Sequence, residues 1–233
     1  FSHLYMKDFN RVVSVRAPKK EGINIPTESE ILNIFDEVKN IPISPYVDAV
    51  SDEPLIAVLP DPGKMLSEKI YSSVGITEWI MDNGVRVLLK PTDFKNDEIL
   101  FKAYSPGGTS LAGDKDFLSA YLATDIISES GIGNFSSIQL EKKLSGEIVN
   151  VTPYITELYE GLRGSASPQD IETLFQLIFL HITAARLDSS AYNSFLTRTS
   201  GWLENWKSRP ESVFQDTLTV TLSQNHIRKR PLT

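Results

Sequence analysis

The chain has 233 residues, with 30 acidic and 23 basic side chains, a formal net charge of −7, no cysteine and three histidines, His3, His181 and His226. Without cysteine there is no disulfide framework, no thiolate zinc site, no iron–sulfur cluster and no cysteine nucleophile. The scattered histidines form no local two-histidine metal motif, and the acidic balance without a basic stripe argues against nucleic acid as a main partner. No apolar run approaches the roughly 20 residues that a membrane-spanning helix needs.

In chain order, Arg11 to Ala17 alternates apolar and polar residues, the pattern of a half-buried strand. Pro18-Lys19-Lys20-Glu21-Gly22 reads as a polar turn. Thr27 and Glu30 form a capping-box pair opening a helix whose apolar stripe is Ile31, Leu32, Ile34, Phe35 and Val38, stopping near Asn40. From Ile41 to Gly75 the prolines at 42, 45, 54, 60 and 62 break any long element, so this stretch reads as a connector. Within it Leu55 to Leu59 is a short apolar run that could lie on a sheet edge.

The signals sharpen after Ile76. Glu78 to Asp82 and Val85 to Lys90 flank Asn83-Gly84 and predict a hairpin with a type I′ turn. Asp97 to Ser105 alternates as a third strand and ends in Pro106-Gly107-Gly108-Thr109. Lys115 to Ser130 predicts a helix with Phe117, Leu118, Tyr121, Leu122, Ile126 and Ile127 on its apolar face, stopped by Gly131-Ile132-Gly133. A short helix over Ser137 to Leu144, strands over Glu147 to Tyr154 and Glu157 to Ala166, and a long helix from Pro168 to about Arg186 follow. Two further helices are expected, Ser190 to Lys207 and one after Pro210. Strand pairs with segregated helices give an α+β fold with a mostly antiparallel sheet.

The chemistry-bearing candidates have plain structural readings. The Gly107-Gly108 loop lacks the spacing and lysine of a phosphate loop, and Gly131-Ile132-Gly133 follows a helix rather than a strand. His181, on an apolar helix, reads as a packed, hydrogen-bonded side chain. His226, beside Arg228, Lys229 and Arg230, reads as a solvated tail. The carboxylate pairs Asp114/Asp116 and Asp97/Glu98 sit at loop or strand boundaries, where solvation explains them.

From Trp79 onward the ordered set of features resembles a repeat of the pitrilysin/insulinase family of zinc metallopeptidases. The residues that carry the resemblance are Trp79 to Val87 with Asn83-Gly84, then Asp97-Glu98-Ile99, then Ser105-Pro106-Gly107-Gly108. Glu157 to Leu162 and the helix from Pro168 match the family's next strand and helix. The resemblance implies a mitochondrial-processing-peptidase-like architecture, here incomplete, with helices on one face of the sheet. It also implies that 1–17 is the last strand of a preceding repeat, 18–75 an inter-repeat connector with one helix, and 76–233 the first part of a repeat. The start at Phe1, with neither methionine nor signal peptide, reads as an excised piece.

One departure decides the functional expectation. Active repeats of the family carry H-x-x-E-H on the helix after the glycine loop, whose histidines bind zinc while the glutamate polarises water. The corresponding helix, Lys115 to Ser130, has no histidine, and Asp125 with Glu129 at i, i+4 does not suit zinc. No catalytic, cofactor-binding or metal-ligating residue is therefore carried over to this chain. The resemblance implies a degenerate repeat within a zinc endopeptidase acting on peptides or small unfolded proteins, with zinc in the parent protein's active repeat. The segment would form chamber wall and a surface for that upstream repeat. The implied partners are the upstream active repeat and a peptide substrate, with no nucleic acid and no membrane span. Self-association through an open sheet edge is expected unless residues 11 to 17 cap it. Family proteases of this two-repeat type occur in the bacterial envelope and in organelles, so the resemblance leaves the compartment open and favours a bacterial periplasm or cell envelope. The alternatives are a structural or assembly repeat of the same family without protease activity, and an unrelated α+β ligand-binding domain.

Overall fold

The computed structural model describes residues 9, 12–17, 24–44 and 53–232. The chain divides into two compact units, Phe1–Asp48 and Ala49–Thr233. The predicted turn at Pro18 to Gly22, along with His3 and Pro45, lies outside the described residues.

Among the described residues of the first unit is the helix α1 (Glu28–Lys39), built as its sequence dictates. The Thr27 amide donates to Glu30 Oε2 at 2.7 Å, the Glu30 amide returns to Thr27 Oγ1 at 3.4 Å, and Asn40 caps the far end. Leu32, Ile34 and Val38 of its apolar stripe are each more than half exposed. Residues 12–17, expected as a strand, are exposed and form no ladder among the described residues. The expected edge-capping role of residues 11 to 17 is thus not seen for 12–17, and Arg11 lies outside the described residues.

The second unit holds two antiparallel three-stranded sheets. The first is β1 (Met65–Tyr71), β2 (Ile76–Met81) and β3 (Arg86–Leu89), in that spatial order. Here the structure corrects two expectations. Part of the expected connector is a strand, β1, paired along β2 from Met65↔Met81 to Tyr71↔Ile76. The hairpin turn is also not type I′. Gly84 has φ +82° while Asn83 is not left-handed. The Gly84 amide donates to the Met81 carbonyl at 3.0 Å, and the Met81 amide to Val85 O at 2.9 Å. That is a three-residue loop, a type I turn closed by a left-handed glycine, which needs positive φ at one position only. The run Leu55 to Leu59 joins no ladder.

The second sheet contains β4 (Ile99–Pro106), β5 (Val149–Ile155) and β6 (Tyr159–Ala166), with β6 central. β3 stops at Leu89, before Pro91, which lacks the amide to extend a ladder, and β4 pairs with β6 over its whole length. Between β4 and β5 lie α2 (Phe117–Ser130) and α3 (Ser137–Lys143); after β6 come α4 (Ile171–Thr183), α5 (Ser189–Lys207) and α6 (Pro210–Leu222).

One face of this sheet holds the core. Leu162 and Ala166 on β6 meet Leu174 and Ile178 on α4, with Phe101, Val149 and Val151 around them. Gly164 sits between Phe101 and Val151 in register, so no side chain holds α4 off the central strand. A Cβ there would lie 3.3 Å from Leu174 Cδ1 and 2.2 Å from the Asn150 carbonyl. Phe101 meets the Phe175 ring edge-to-face at 6.4 Å. β4 and β5 each leave an outer edge without a partner strand among the described residues.

Candidate functional site

The loop after β4 is shaped by two glycines. Gly107 (φ +151°) donates its amide to Leu158 O at 2.7 Å, and Gly108 (φ +63°) donates to Glu160 Oε2 at 2.7 Å. The Thr109 and Ser110 amides then donate to the Thr156 and Glu157 carbonyls at 2.9 and 2.8 Å. The loop therefore packs backbone to backbone against the β5–β6 turn. A Cβ on Gly108 would sit 2.2 Å from the Thr156 carbonyl, so only glycine permits this approach. Thr109 is buried at the contact.

Arg228 secures the other side of the loop. Its guanidinium donates to Thr109 O at 2.9 Å, Ala112 O at 2.6 Å and Asp114 Oδ1 at 2.9 Å, and lies over the Phe117 ring at 5.1 Å. His226 is exposed, as the solvated-tail reading expects, and so are Lys229 and Arg230, but Arg228 is not. His226 Nδ1 accepts the Arg228 amide at 3.3 Å and opens a short turn over Ile227–Lys229 that carries Arg228 to the loop. Sequence reasoning missed Arg228 because its acceptors lie more than 100 residues away; its place inside Arg228-Lys229-Arg230 looks like a solvated run. Asp114 is thereby a structural partner rather than a free carboxylate, and Glu98 pairs with Lys95 at 2.9 Å.

Helix α2 begins at Phe117, two residues later than expected. Phe117 and Tyr121 stack at 5.9 Å, and an apolar cavity of about 430 Å³ separates Ala123, Ile126 and Ile127 from Leu187 and Tyr192 at the start of α5. Asp125 faces solvent. Glu129 is engaged by Arg198 of α5. The helix therefore offers one free carboxylate and one neutralised by arginine, a donor set that does not fit zinc. Among the described residues no three His, Asp or Glu side chains gather where they could hold a metal ion.

His181 is half-buried on α4. Burial holds its pKa below the ordinary histidine value, and a hydrogen bond with the Val151 backbone opposes that shift. Glu78 is 8% exposed on β2, accepts from Tyr71 Oη at 2.7 Å and pairs with Arg86. The Tyr71 bond, then the Arg86 bond, holds its carboxyl below the usual range. Both groups lock local packing: one helix to its sheet, and three strands of the first sheet to one another. No helix among the described residues is long and apolar enough to cross a membrane.

No family model matches the chain. It is 25% identical over 167 residues, 72% of its length, to the Arabidopsis thaliana protein named zinc protease PQQL-like. It is 26% identical over 177 residues to the probable zinc protease PqqL of Escherichia coli, and 22% over 142 residues to that of Haemophilus influenzae. The crystal structure of the periplasmic protease PqqL from Escherichia coli superposes over 89% of the chain with a TM-score of 0.67 and 21% identity. Over this stretch the chain is similar to proteins named as zinc proteases. A second structure, a mutant ferredoxin protease FusC in complex with Arabidopsis ferredoxin, covers 85% with a TM-score of 0.65 and 16% identity. At those identities the structural matches fix the fold alone, antiparallel sheet with packed helices. The chain spans only 15 to 19% of the length of the relatives it matches, and 22 to 23% of the two solved chains.

Proposed function

We propose that this segment is a non-catalytic repeat of a zinc endopeptidase, with 76–233 as its first part and 18–75 as the connector from a preceding repeat. It forms a wall of the substrate chamber and a docking surface for an upstream active repeat of the same chain, which holds the zinc. The substrate is a peptide or small unfolded protein, and the compartment is the bacterial periplasm or cell envelope. The observation that supports the reading best is α2: it follows the glycine loop where active repeats carry H-x-x-E-H, yet holds no histidine, and Glu129 is spent on Arg198. The glycine loop, held by the β5–β6 turn on one side and Arg228 on the other, supports a wall role. The open edges of β4 and β5 give the isolated segment a route to self-association.

The test uses the full-length protein with Asp125→Asn and Glu129→Gln placed singly in α2. Both variants are expected to retain kcat for an unfolded peptide substrate within about twofold, far inside the losses that follow removal of a catalytic acid or base. A hundredfold loss in Asp125→Asn, with zinc content and fold intact, would refute a non-catalytic α2.

A further inference from the structure

The face of the second sheet turned away from α4 carries a patch whose charge is opposite to that of the whole chain. In register, Lys102 on β4 stands beside Arg163 on β6, which stands beside Thr152 on β5. The neighbouring row is Tyr104, Gly161 and Tyr154, with Tyr159 beyond it. Like charges directly opposite one another in a sheet are destabilising. Both cations are solvent-exposed, and neither has an ion-pair partner among the described residues. The outward positions of the three strands include no Asp or Glu; Glu160, the carboxylate nearest in sequence, points the other way onto the Gly108 amide. In a chain with net charge −7 this is a local inversion.

Beside the cations β6 carries no side chain at Gly161, where a Cβ would lie 2.0 Å from the Ala103 carbonyl. Tyr104 and Tyr154 flank that glycine in register, and Tyr154 reaches across it toward β4. Tyr154 is held by its hydroxyl on the Ala103 carbonyl at 3.1 Å, and Tyr104 meets Tyr159 edge-to-face at 5.7 Å. Tyr104 is 66% exposed and Leu100 77%. Lys102 lies over the Tyr154 ring at 5.9 Å. Held tyrosines present apolar area at little entropic cost, and a cation row without carboxylate partners beside them selects for negative charge.

We propose that this face docks an extended, acidic segment of the substrate polypeptide, its carboxylates on Lys102 and Arg163 and its apolar groups against Tyr104 and Tyr154. This rests on the chamber-wall reading and adds to it a substrate preference. The probe is a fluorescein-labelled peptide of Glu, Gly and Tyr, compared with the same peptide carrying Lys in place of Glu. Each is titrated against the 233-residue chain by anisotropy. At low salt the acidic peptide is expected to bind about tenfold or more tighter than its Lys counterpart, with most of that preference lost at high salt. The double variant Lys102→Glu/Arg163→Glu is expected to abolish the preference, and Lys102→Gln/Arg163→Gln to reduce it, with unchanged circular dichroism. Equal binding of both peptides, no binding of the acidic one, or binding indifferent to the double variant would overturn the proposal. The two readings fail separately. A full-length protein that cleaves acidic and basic peptides alike keeps the wall and loses the acidic dock. Acidic-peptide binding in a protein without zinc-dependent cleavage keeps the dock and loses the wall.

Discussion

Replacing Arg228 by methionine keeps a long apolar stem and removes the guanidinium that ties the end of the chain to the glycine loop. Three acceptors lose their donor: the Thr109 carbonyl on a buried residue, the Ala112 carbonyl and the more exposed Asp114 carboxylate. A hydrogen bond from a charged group to a desolvated acceptor contributes about 1.5–3 kcal/mol, whereas an ion pair to an exposed carboxylate contributes below about 1 kcal/mol. The guanidinium over Phe117 adds about 0.5–1 kcal/mol. Water can replace the donor to Ala112 and Asp114 but reaches Thr109 poorly, so the net loss is about 2–4 kcal/mol. Urea unfolding at neutral pH, followed by tryptophan fluorescence, reads it as a lower midpoint at unchanged slope. Arg228→Lys keeps the charge but not the fork, and should recover less than half of the loss. A shift under about 0.5 kcal/mol in Arg228→Met would mean that the contact is solvated and that the loop is held by the β5–β6 turn alone.

Other outcomes follow from the same geometry. Gly108→Ala places a Cβ 2.2 Å from the Thr156 carbonyl at φ +63° and should cost about 2 kcal/mol or more, while Gly84→Ala, with open space around it, should cost about 1 kcal/mol; matched urea midpoints would show whether close approach or backbone sign dominates. Leu174→Ala, at a position 1% exposed, should lose about 2–5 kcal/mol by calorimetry or urea. Because the folded His181 pKa is depressed, the unfolded chain takes up its proton first as pH falls. Stability should therefore drop through the ordinary histidine range, and His181→Asn should remove that step and leave the later loss from Glu78, Asp170 and Asp188, whose lowered values place it at more acid pH. An identical slope in both proteins between neutral pH and pH about 5.5 would refute the assignment. Light scattering of the chain should show mass rising with concentration through the open edges of β4 and β5; a strictly monomeric profile would oppose it.

Much of the second unit was legible because its elements carry local signals. Ser137 to Lys143 opens on a Ser136–Gln139 capping box, α6 opens on Pro210, and β6 ends where Ser167 caps the turn at Pro168. These are short-range hydrogen bonds and fixed φ values, visible within four residues. What stayed hidden was non-local. Met65–Tyr71 reads as a polar piece of connector, because it carries Glu68 and Lys69 and becomes a strand only through pairing with β2. The split into two sheets depends on which strand β4 finds, and that partner is about 60 residues away. The emptiness of the helix after the glycine loop was legible, since it needs only the absence of histidine between Lys115 and Ser130. The engagement of Glu129 by Arg198 was not, because it joins residues 69 apart. The cation row on the sheet is a register effect too: Lys102 and Arg163 are unremarkable singly and meet only when β4 and β6 align.

The central claim is that this chain contains no working zinc site. The most direct measurement is zinc content after equilibrium dialysis of the 233-residue chain against micromolar zinc, with cleavage of an unfolded peptide assayed on the same sample. The account predicts metal well below one equivalent and no turnover above buffer. One tightly held equivalent accompanied by zinc-dependent cleavage would contradict it.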